Sequence, residues 1–290
     1  MTTQVTALPT DPGVFGPDGL DELEAFYRAY GFAVLRGLLT PGTLSDLSEE
    51  CTSAQERLIA GDLPERFGTV ELVEGDAGAK GRRFANYVTH ITEVSATAAA
   101  VLEHDVVTAL VQRWLGPTSW SARSTRFGFV YQDARPGPES SYSRIGWHSD
   151  WQSSPHLDMW PATAITVHLD ATSPANGFLR VVPGSQLWAT PAPYENVNGA
   201  RVPDGSAPWG GYGDLAPPVP MPLGFEKVPG EIGVYAEEGD VLFHDCYLWH
   251  SAARATVDGS VRRHVRGSWY AGPNAPRDLG PEDFVKNAAR

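Results

Sequence analysis

The chain is 290 residues long, is 42% apolar and carries a formal net charge of −13 at pH 7. This length is sufficient for a single domain with a sizeable core, and the acidic balance argues against nucleic acids and anionic membrane surfaces as partners. Two cysteines are too few for a disulfide framework, and no apolar run is long enough for a membrane span or an export signal, so we expect a cytoplasmic protein.

The first 118 residues are predicted to be mainly helical. Residues 1–17 are rich in Pro, Gly and Thr, which predicts a loosely attached N-terminal tail. Apolar residues at helical spacing then indicate a first helix that ends at Gly31. Thr40 is a good N-cap before a proline, and it predicts a second helix that runs to about Ala60. A third helix is predicted near residues 96–115.

The rest of the chain is dominated by short β-rich segments separated by Gly, Pro and Ser, as in jelly-roll barrels. We therefore expect a mainly β fold with flanking helices. It would form one domain over residues 18–290, with a helical part at 18–118 and a double-stranded β-helix (jelly-roll, cupin-like) core at 119–272. The predicted strands are 32–35, 123–132, 145–151, 163–170, 178–182, 232–234, 240–243, 247–252 and 262–270.

An insert at residues 187–230 interrupts this pattern with a stretch rich in Pro, Gly and aromatic residues. So long an irregular segment inside a compact domain is usually a functional lid or is disordered. Its aromatic residues favour order, at least when substrate is bound, and we therefore predict a lid.

One short motif carries most of the chemical information. His148 and Asp150 stand two residues apart in a predicted strand, and residues i and i+2 of a strand point to the same face. Together they would supply two of the three ligands of the 2-His-1-carboxylate site of non-haem Fe(II) oxygenases. The third ligand has to be a distant histidine, for which His244 and His250 both qualify. The two-residue pattern alone is also typical of a solvated surface strand.

Three segments resemble the phytanoyl-CoA dioxygenase family of Fe(II)/2-oxoglutarate-dependent oxygenases. Residues 176–186 (NGFLRVVPGSQ) resemble the family segment that runs from Asn-Gly to Pro-Gly-Ser, and residues 30–37 (YGFAVLRG) resemble its opening strand. Residues 147–150 (WHSD) are similar to the motif of the ectoine hydroxylases within that family. The resemblance extends from about residue 20 to about residue 272, and it implies Fe(II) as the metal with 2-oxoglutarate and O2 as cosubstrates.

The resemblance also implies which histidine completes the metal site. The family places its distal ligand where His250 stands, so the predicted iron ligands are His148, Asp150 and His250. His244 would then be a packed, hydrogen-bonded barrel histidine. Related halogenases have Gly or Ala at the carboxylate position, so the presence of Asp150 argues against halogenation.

The far carboxylate of 2-oxoglutarate needs a fixed cation, and a guanidinium can bind it through two parallel hydrogen bonds. The family places this arginine on the strand after the distal histidine, and here Arg262 lies twelve residues beyond His250. The two-residue period of a strand puts Arg262, His264 and Arg266 on one face. Arg262 is the predicted ligand of 2-oxoglutarate and Arg266 is the alternative, while Arg263 would be solvated.

Other contacts to 2-oxoglutarate are predicted from the neighbouring strands. Gln132 precedes the His-x-Asp motif on one strand, with Arg126 as the alternative, and Thr166 follows the motif on another. Ser251 matches the small residue that the family has after the distal histidine. Ala252 replaces a serine that is frequent in the family, and alanine has no hydroxyl to make the hydrogen bond of that serine.

The resemblance implies oxidation, by default hydroxylation, of an unactivated C–H bond with release of succinate and CO2. The predicted substrate is a small, largely apolar molecule such as a specialised metabolite. Aromatic side chains suit such a substrate. An amino-acid-like substrate, or desaturation, cyclisation or epimerisation, are alternatives. The predicted substrate contacts are Trp147, Trp160, Trp188 and Trp209.

Two other classes of function stay open. A non-catalytic jelly-roll protein that binds a small molecule would need no intact metal site, and a metal-dependent isomerase or hydrolase would need no arginine for 2-oxoglutarate. The oligomeric state is not predicted.

Overall fold

The computed structural model describes residues 13–73, 82–121, 128–134, 145–153, 155, 159–191, 196–197, 200–201, 209–222, 224–257 and 259–272. The α-helices in these ranges are α1 (Leu20–Tyr30), α2 (Pro41–Ala60), α3 (Ala96–Leu102), α4 (Asp105–Leu115) and α5 (Asp150–Ser153). The strands are β1 (Val14–Phe15), β2 (Phe32–Leu35), β3 (Glu71–Val73), β4 (Arg82–Phe84), β5 (Tyr87–Thr89), β6 (Trp120–Ser121), β7 (Gly128–Ala134), β8 (Ala162–His168), β9 (Leu179–Val181), β10 (Thr190–Pro191), β11 (Asn196–Val197), β12 (Ala200–Arg201), β13 (Trp209–Gly210), β14 (Ile232–Val234), β15 (Val241–Asp245), β16 (His250–Ala252) and β17 (Ser260–Tyr270).

A large sheet and a small sheet contain most of these strands. The large sheet has the order β1-β2-β15-β8-β17-β7-β5, with β6 also paired to β17, and the small sheet has the order β14-β9-β16. Neighbours in both sheets are antiparallel except for the parallel pair of β1 and β2. This is the mainly β, jelly-roll architecture that the sequence predicts.

The first two helices form where their end signals predict. The backbone of Gly31 adopts a φ of 80° and its N–H donates to Tyr27 O, so the glycine ends α1. The hydroxyl of Thr40 accepts a hydrogen bond from the backbone N–H of Thr43, which caps α2 ahead of Pro41. Both helices place their buried faces in the main hydrophobic core beside β2, whose four residues are fully buried.

Two predictions for the helical part are wrong. The helix predicted at 96–115 is two helices, because His104 is extended (φ −52°, ψ 140°) and its Nδ1 accepts a hydrogen bond from Val106 N to start α4. The predicted tail also ends earlier than residue 17. Val14 and Phe15 pair with Val34 and Leu35, so this part of the chain extends the large sheet.

The predicted strands are recovered with shifts of a few residues, with one exception. Segments 32–35 and 232–234 have the predicted bounds, while the strand predicted at 123–132 begins at Gly128 in the described residues, with residues 122–127 outside them. The exception is segment 145–151, which is no strand and is taken up with the metal site below. None of the described helices has the length and apolar character needed to cross a membrane.

Candidate metal centre and cavity

The two predicted histidine ligands are held side by side by the small sheet. His250 opens β16 and pairs with Val181 on one side. On its other side the backbone N–H of each histidine donates to the carbonyl of the other, with His148 N to His250 O at 3.0 Å and His250 N to His148 O at 2.9 Å. The two imidazole centroids are 4.2 Å apart as a result.

Asp150 reaches the same point by a different route from the one predicted. The expected strand 145–151 consists of a single bridge at His148, and α5 begins at Asp150. The chain therefore turns after the first ligand, and Trp151 N donates to Cys246 O at 3.0 Å. The convergence of the two ligands was predicted, but the pleat of a strand is not its cause.

The geometry of the three residues suits a divalent metal ion. Asp150 Oδ1 lies 4.0 Å from His148 Nε2 and 3.6 Å from His250 Nε2, and one donor atom from each residue lies within 4.8 Å of the others. Two imidazole nitrogens and one carboxylate oxygen make up the donor set that Fe(II) oxygenases use.

Backbone carbonyls fix the tautomers of both histidines. His148 Nδ1 lies 2.9 Å from Gly146 O, and His250 Nδ1 lies 2.9 Å from Leu248 O. A carbonyl only accepts hydrogen bonds, so each Nδ1 must carry the proton and each Nε2 presents a lone pair to the metal position.

The protonation states also suit metal binding. Burial lowers the pKa of His148 and holds that of His250 well below its ordinary value, so both rings are neutral near pH 7. Burial alone would raise the pKa of Asp150, but the contact with His244 and the charge of Arg266 favour the carboxylate, and the net shift of this pKa is downward. Asp150 is therefore ionised and both histidines are ready to coordinate.

His244, the alternative distal ligand, lies behind the carboxylate. It is in β15, is 2% exposed, and places Nε2 3.3 Å from Asp150 Oδ2. Its ring centroid is 4.5 Å from that of His250. His244 faces the second oxygen of Asp150, whereas His148 and His250 both face Oδ1, so the arrangement favours His250 as the third ligand.

A cavity of about 290 Å³ adjoins these residues. It is lined on one side by Arg262, His264 and Arg266, which share one face of β17 as the strand period predicts. Arg262 is 4% exposed, and burial together with the charge of Arg266 lowers its pKa to about 9. Arg263 lies on the opposite face and pairs with Asp170 at 2.7 Å, so it is ion-paired and not simply solvated as predicted.

The other predicted cosubstrate contacts are placed as follows. Thr166 and Ser251 both line the cavity, and the hydroxyl of Ser251 donates to Ile145 O at 3.2 Å. Gln132 lies directly across from Arg262 in the pairing of β7 with β17. Arg126 lies outside the described residues.

The four tryptophans predicted to contact substrate are not among the described residues that line the cavity. Trp147 is 4% exposed, donates from Nε1 to Glu226 O and lies beneath the guanidinium of Arg180. The others are placed by other contacts: Trp160 packs on Tyr270, Trp188 packs on Trp249, and Trp209 is 49% exposed opposite Pro191. The apolar part of the cavity is instead lined by Tyr87, Ile145, Leu179, Leu242 and Ala252.

Comparison with solved structures finds the same fold in several other proteins. AviO1 from Streptomyces viridochromogenes is 20% identical, with a TM-score of 0.57, over 88% of this chain and 97% of that one. The epimerase SnoN, solved with Fe3+, alpha ketoglutarate and nogalamycin RO, is 20% identical with a TM-score of 0.58, over 91% and 88%. EctD from S. alaskensis is 16% identical with a TM-score of 0.57, over 90% and 83%.

Sequence comparison identifies the family. A search of curated protein sequences finds no significant match. The sequence profile of the phytanoyl-CoA dioxygenase family (PhyH), however, matches residues 27–265. This match covers most of the chain, and it includes all three candidate metal ligands. The protein therefore belongs to the phytanoyl-CoA dioxygenase family and is an oxidoreductase of the dioxygenase class.

Proposed function

We propose that the protein is a non-haem Fe(II)- and 2-oxoglutarate-dependent dioxygenase that hydroxylates an unactivated C–H bond of a small, largely apolar molecule, with release of succinate and CO2. The observation that carries this proposal is the convergence of two Nε2 atoms and one carboxylate beside a cavity lined by two arginines. Relatives with this fold support the choice of cofactors. EctD has been solved with bound Fe and with 2-oxoglutarate, and SnoN with Fe3+ and alpha ketoglutarate.

His148, Asp150 and His250 would hold the iron, while the chain orients the reactants around it. Iron in such a site supplies the oxidation of the C–H bond, coupled to the decarboxylation of 2-oxoglutarate. The carbonyls of Gly146 and Leu248 keep the two imidazoles in the tautomer that coordinates through Nε2. This fixed orientation lets the metal bind without reorganisation of its ligands.

The cosubstrate would lie along β17 with its far carboxylate at Arg262. A guanidinium that is 4% exposed offers a strong, water-excluded site for a carboxylate. Thr166 and Ser251 line the same cavity and would contribute polar contacts. The contact predicted for Gln132, whose backbone pairs across from Arg262, stays a prediction.

The remaining lining favours a largely apolar substrate. Leu179, Leu242, Ile145 and the ring of Tyr87 face the cavity, and such a surface recognises apolar groups. SnoN and the carbocyclase SnoK are both from nogalamycin biosynthesis, which supports a specialised metabolite as the substrate.

Arg266 favours a second candidate, an amino-acid-like substrate with a carboxylate. Its side chain lines the cavity near the metal centre, and its charge lowers the pKa of Asp150 and of His148. It makes no hydrogen bond or ion pair with the described residues. A cation without a fixed partner beside the reaction site is suited to an acidic group of the substrate.

The reaction outcome is set by how the substrate lies over the metal. The relatives with this fold include a hydroxyectoine complex, an epimerase and a carbocyclase, so the fold alone does not select among outcomes. Hydroxylation is the outcome we propose, with desaturation, cyclisation and epimerisation as the alternatives that product analysis would identify.

We also propose that the insert at 187–230 is a lid over the metal centre. In its described part, the hydroxyl of Tyr212 donates to Asp245 Oδ2 at 2.8 Å, and Asp245 directly follows His244. Val219, Met221 and Val228 pack against Trp147 and Trp249, beside the two histidine ligands. A segment attached at these points is well placed to exclude water during the reaction.

The test is an anaerobic titration of the purified apoprotein with Fe(II) and 2-oxoglutarate, monitored by the visible metal-to-ligand charge-transfer band. We expect the band in the wild type and its loss in His148→Ala. His104→Ser is the matched control, because serine can also cap α4 and His104 does not line the cavity, so this variant should keep the band. A folded, iron-loaded wild type that gives no band would contradict the proposal.

Turnover then separates an oxygenase from a binding protein. An oxygenase forms succinate from 2-oxoglutarate in air, slowly without substrate and faster when a candidate substrate is added. Asp150→Gly should abolish this activity. Succinate formation at the wild-type rate in that variant would show that Asp150 is not a ligand.

A further inference from the structure

Two buried histidines lie at the end of the cavity away from the metal centre. His168 of β8 and His264 of β17 are directly opposite each other in the strand pairing, and their ring centroids are 5.8 Å apart. They are 4% and 7% exposed. Both line the cavity together with Arg262.

These rings carry polar atoms that nothing in the described residues satisfies. Both nitrogens of His168 and Nδ1 of His264 are buried without a hydrogen-bond partner. A buried polar group without a partner destabilises a protein, and native structures keep few of them. Such groups beside a cavity indicate that a ligand completes their hydrogen bonds.

The charge around the two rings indicates the sign of that ligand. Among the described residues that line the cavity there is no Asp or Glu, whereas Arg262 and Arg266 both line it. The charges of Asp240 and Asp170 act to raise the pKa of His168 from a distance. Each of these carboxylates forms an ion pair elsewhere, Asp170 with Arg263 and Asp240 with Arg36. The inner end of the cavity therefore offers hydrogen-bond donors and positive charge to an anion.

The strand register separates this inner end from the metal end. His244, which contacts Asp150, is level with Ala164 of β8, and His168 lies four residues further along the same strand, or about 13 Å. Arg266 is across from Thr166, between these two levels, and its charge acts on Asp150. Besides burial, the charge of Arg262 lowers the pKa of His264 more than the charge of Arg266 does.

We propose that His168 and His264 donate hydrogen bonds to the far carboxylate of 2-oxoglutarate beside Arg262, and so select a 2-oxo acid with a second carboxylate. This inference rests on the proposed function, and it assigns the cosubstrate specificity to residues that motif matching does not reveal. Burial holds the pKa of His264 well below its ordinary value and lowers that of His168 to about 4, so both rings are neutral and each has one N–H to donate. Ala252, which lines the same cavity, has no side-chain donor.

The experiment compares two acids that differ only in that carboxylate. Anaerobic Fe(II) protein is titrated with 2-oxoglutarate and with 2-oxopentanoate, with the charge-transfer band as the readout. The variants are His264→Leu, which removes the donor, and His264→Asn, which keeps an N–H near the position of Nδ1, with the same pair at His168. His104→Ser is the control.

We expect each leucine variant to bind 2-oxoglutarate roughly tenfold more weakly, because a hydrogen bond to a charged group is lost. Binding of 2-oxopentanoate should not change, and the asparagine variants should recover part of the loss. In the absence of ligand the leucine variants should unfold at the same temperature as the wild type or a higher one, because an unsatisfied buried group has been removed.

The outcomes separate this inference from the function on which it rests. Suppose that the wild type gives a band with 2-oxoglutarate. If the leucine variants then bind this acid as tightly as the wild type does, or if their affinities for both acids fall by the same factor, the histidines do not bind the far carboxylate. If the folded, iron-loaded wild type gives no band with either acid, the proposed function itself is wrong.

Discussion

The ion pair of Arg180 with Glu231 should contribute more to stability than any exposed pair in the protein. Arg180 Nη2 lies 2.6 Å from Glu231 Oε2, and the two side chains are only 11% and 17% exposed. The same guanidinium donates to the carbonyls of Phe225 and Glu226 and lies 4.7 Å above the ring of Trp147, which precedes the candidate metal ligand His148. The pair therefore joins the end of the insert to the segment that carries His148.

The substitution Glu231→Gln tests this contribution. It keeps the shape of the side chain but leaves a nearly buried guanidinium without a counter-charge, which typically costs about 3–5 kcal/mol for a fully buried pair. The residual exposure reduces that figure, and we expect about 2–3 kcal/mol. In a domain of this size one kcal/mol corresponds to roughly 2 °C, so the unfolding temperature should fall by about 4–6 °C.

The assay is thermal unfolding followed by circular dichroism, together with a titration of Fe(II). Iron affinity should also fall, because the guanidinium that packs over Trp147, the residue before His148, loses its counter-charge and is held less firmly. Asp21→Asn is the control. It removes an exposed pair, with Arg113 at 45% and Asp21 at 87% exposure, and such pairs contribute about 0–1 kcal/mol.

Equal effects of Glu231→Gln and Asp21→Asn would refute this reasoning. The double variant Arg180→Met/Glu231→Leu adds a second check, because removal of both charges leaves no uncompensated ion. It should be more stable than Glu231→Gln. A double variant that is no more stable would mean that lost packing, and not the unpaired charge, causes the destabilisation.

Three further predictions concern the fold. Burial raises the pKa of Asp245 to about 7. The folded state therefore holds this proton more tightly than the unfolded state does, and the resulting stability is lost as the pH rises from about 4 to about 7. The unfolding temperature of the wild type, relative to that of Asp245→Asn, should fall across this pH range, and a constant difference would contradict the pKa shift. Gly128→Ala would place a Cβ 1.8 Å from Val88 O, so this substitution should lower the unfolding temperature by several degrees. An unchanged unfolding temperature would mean that β5 and β7 can move apart at no cost. Leu110→Ala should cost about 2–5 kcal/mol in a denaturant titration because Leu110 is 1% exposed, whereas Leu215→Ala, at 66% exposure, should change stability by less than about 0.5 kcal/mol.

Local signals explain which parts of the fold were predictable. Gly31 and Thr40 act on the backbone of their own turn, so the end of α1 and the start of α2 follow from a few neighbouring residues. The break between α3 and α4 depends on the imidazole of His104, and histidine is not a usual N-cap. Helical spacing on both sides of the break therefore predicted one helix.

In the candidate metal site, His148 and Asp150 lie close together for a different reason from the one predicted. The two-residue spacing of His148 and Asp150 was attributed to a strand, but only His148 pairs like a strand, and it does so with His250. That pairing joins residues about a hundred positions apart, and no local pattern contains it. The resemblance of several motifs to one family was the only signal in the sequence that selected His250 over His244.

The charge of the cavity could not be inferred from the charge of the chain. The protein carries a net charge of −13, and this value argues against nucleic acids and anionic membrane surfaces as partners. The described lining of the cavity nevertheless has two arginines and no carboxylate, because the register of β8, β15 and β17 brings Arg262, Arg266 and the histidines to one place. Surface charges are screened over about 8 Å at physiological ionic strength, whereas buried groups are screened far less. The affinity of this site for a dianion is therefore set by a few buried side chains, and a solvent-exposed acidic residue replaced by its amide should change it much less than the loss of Arg262.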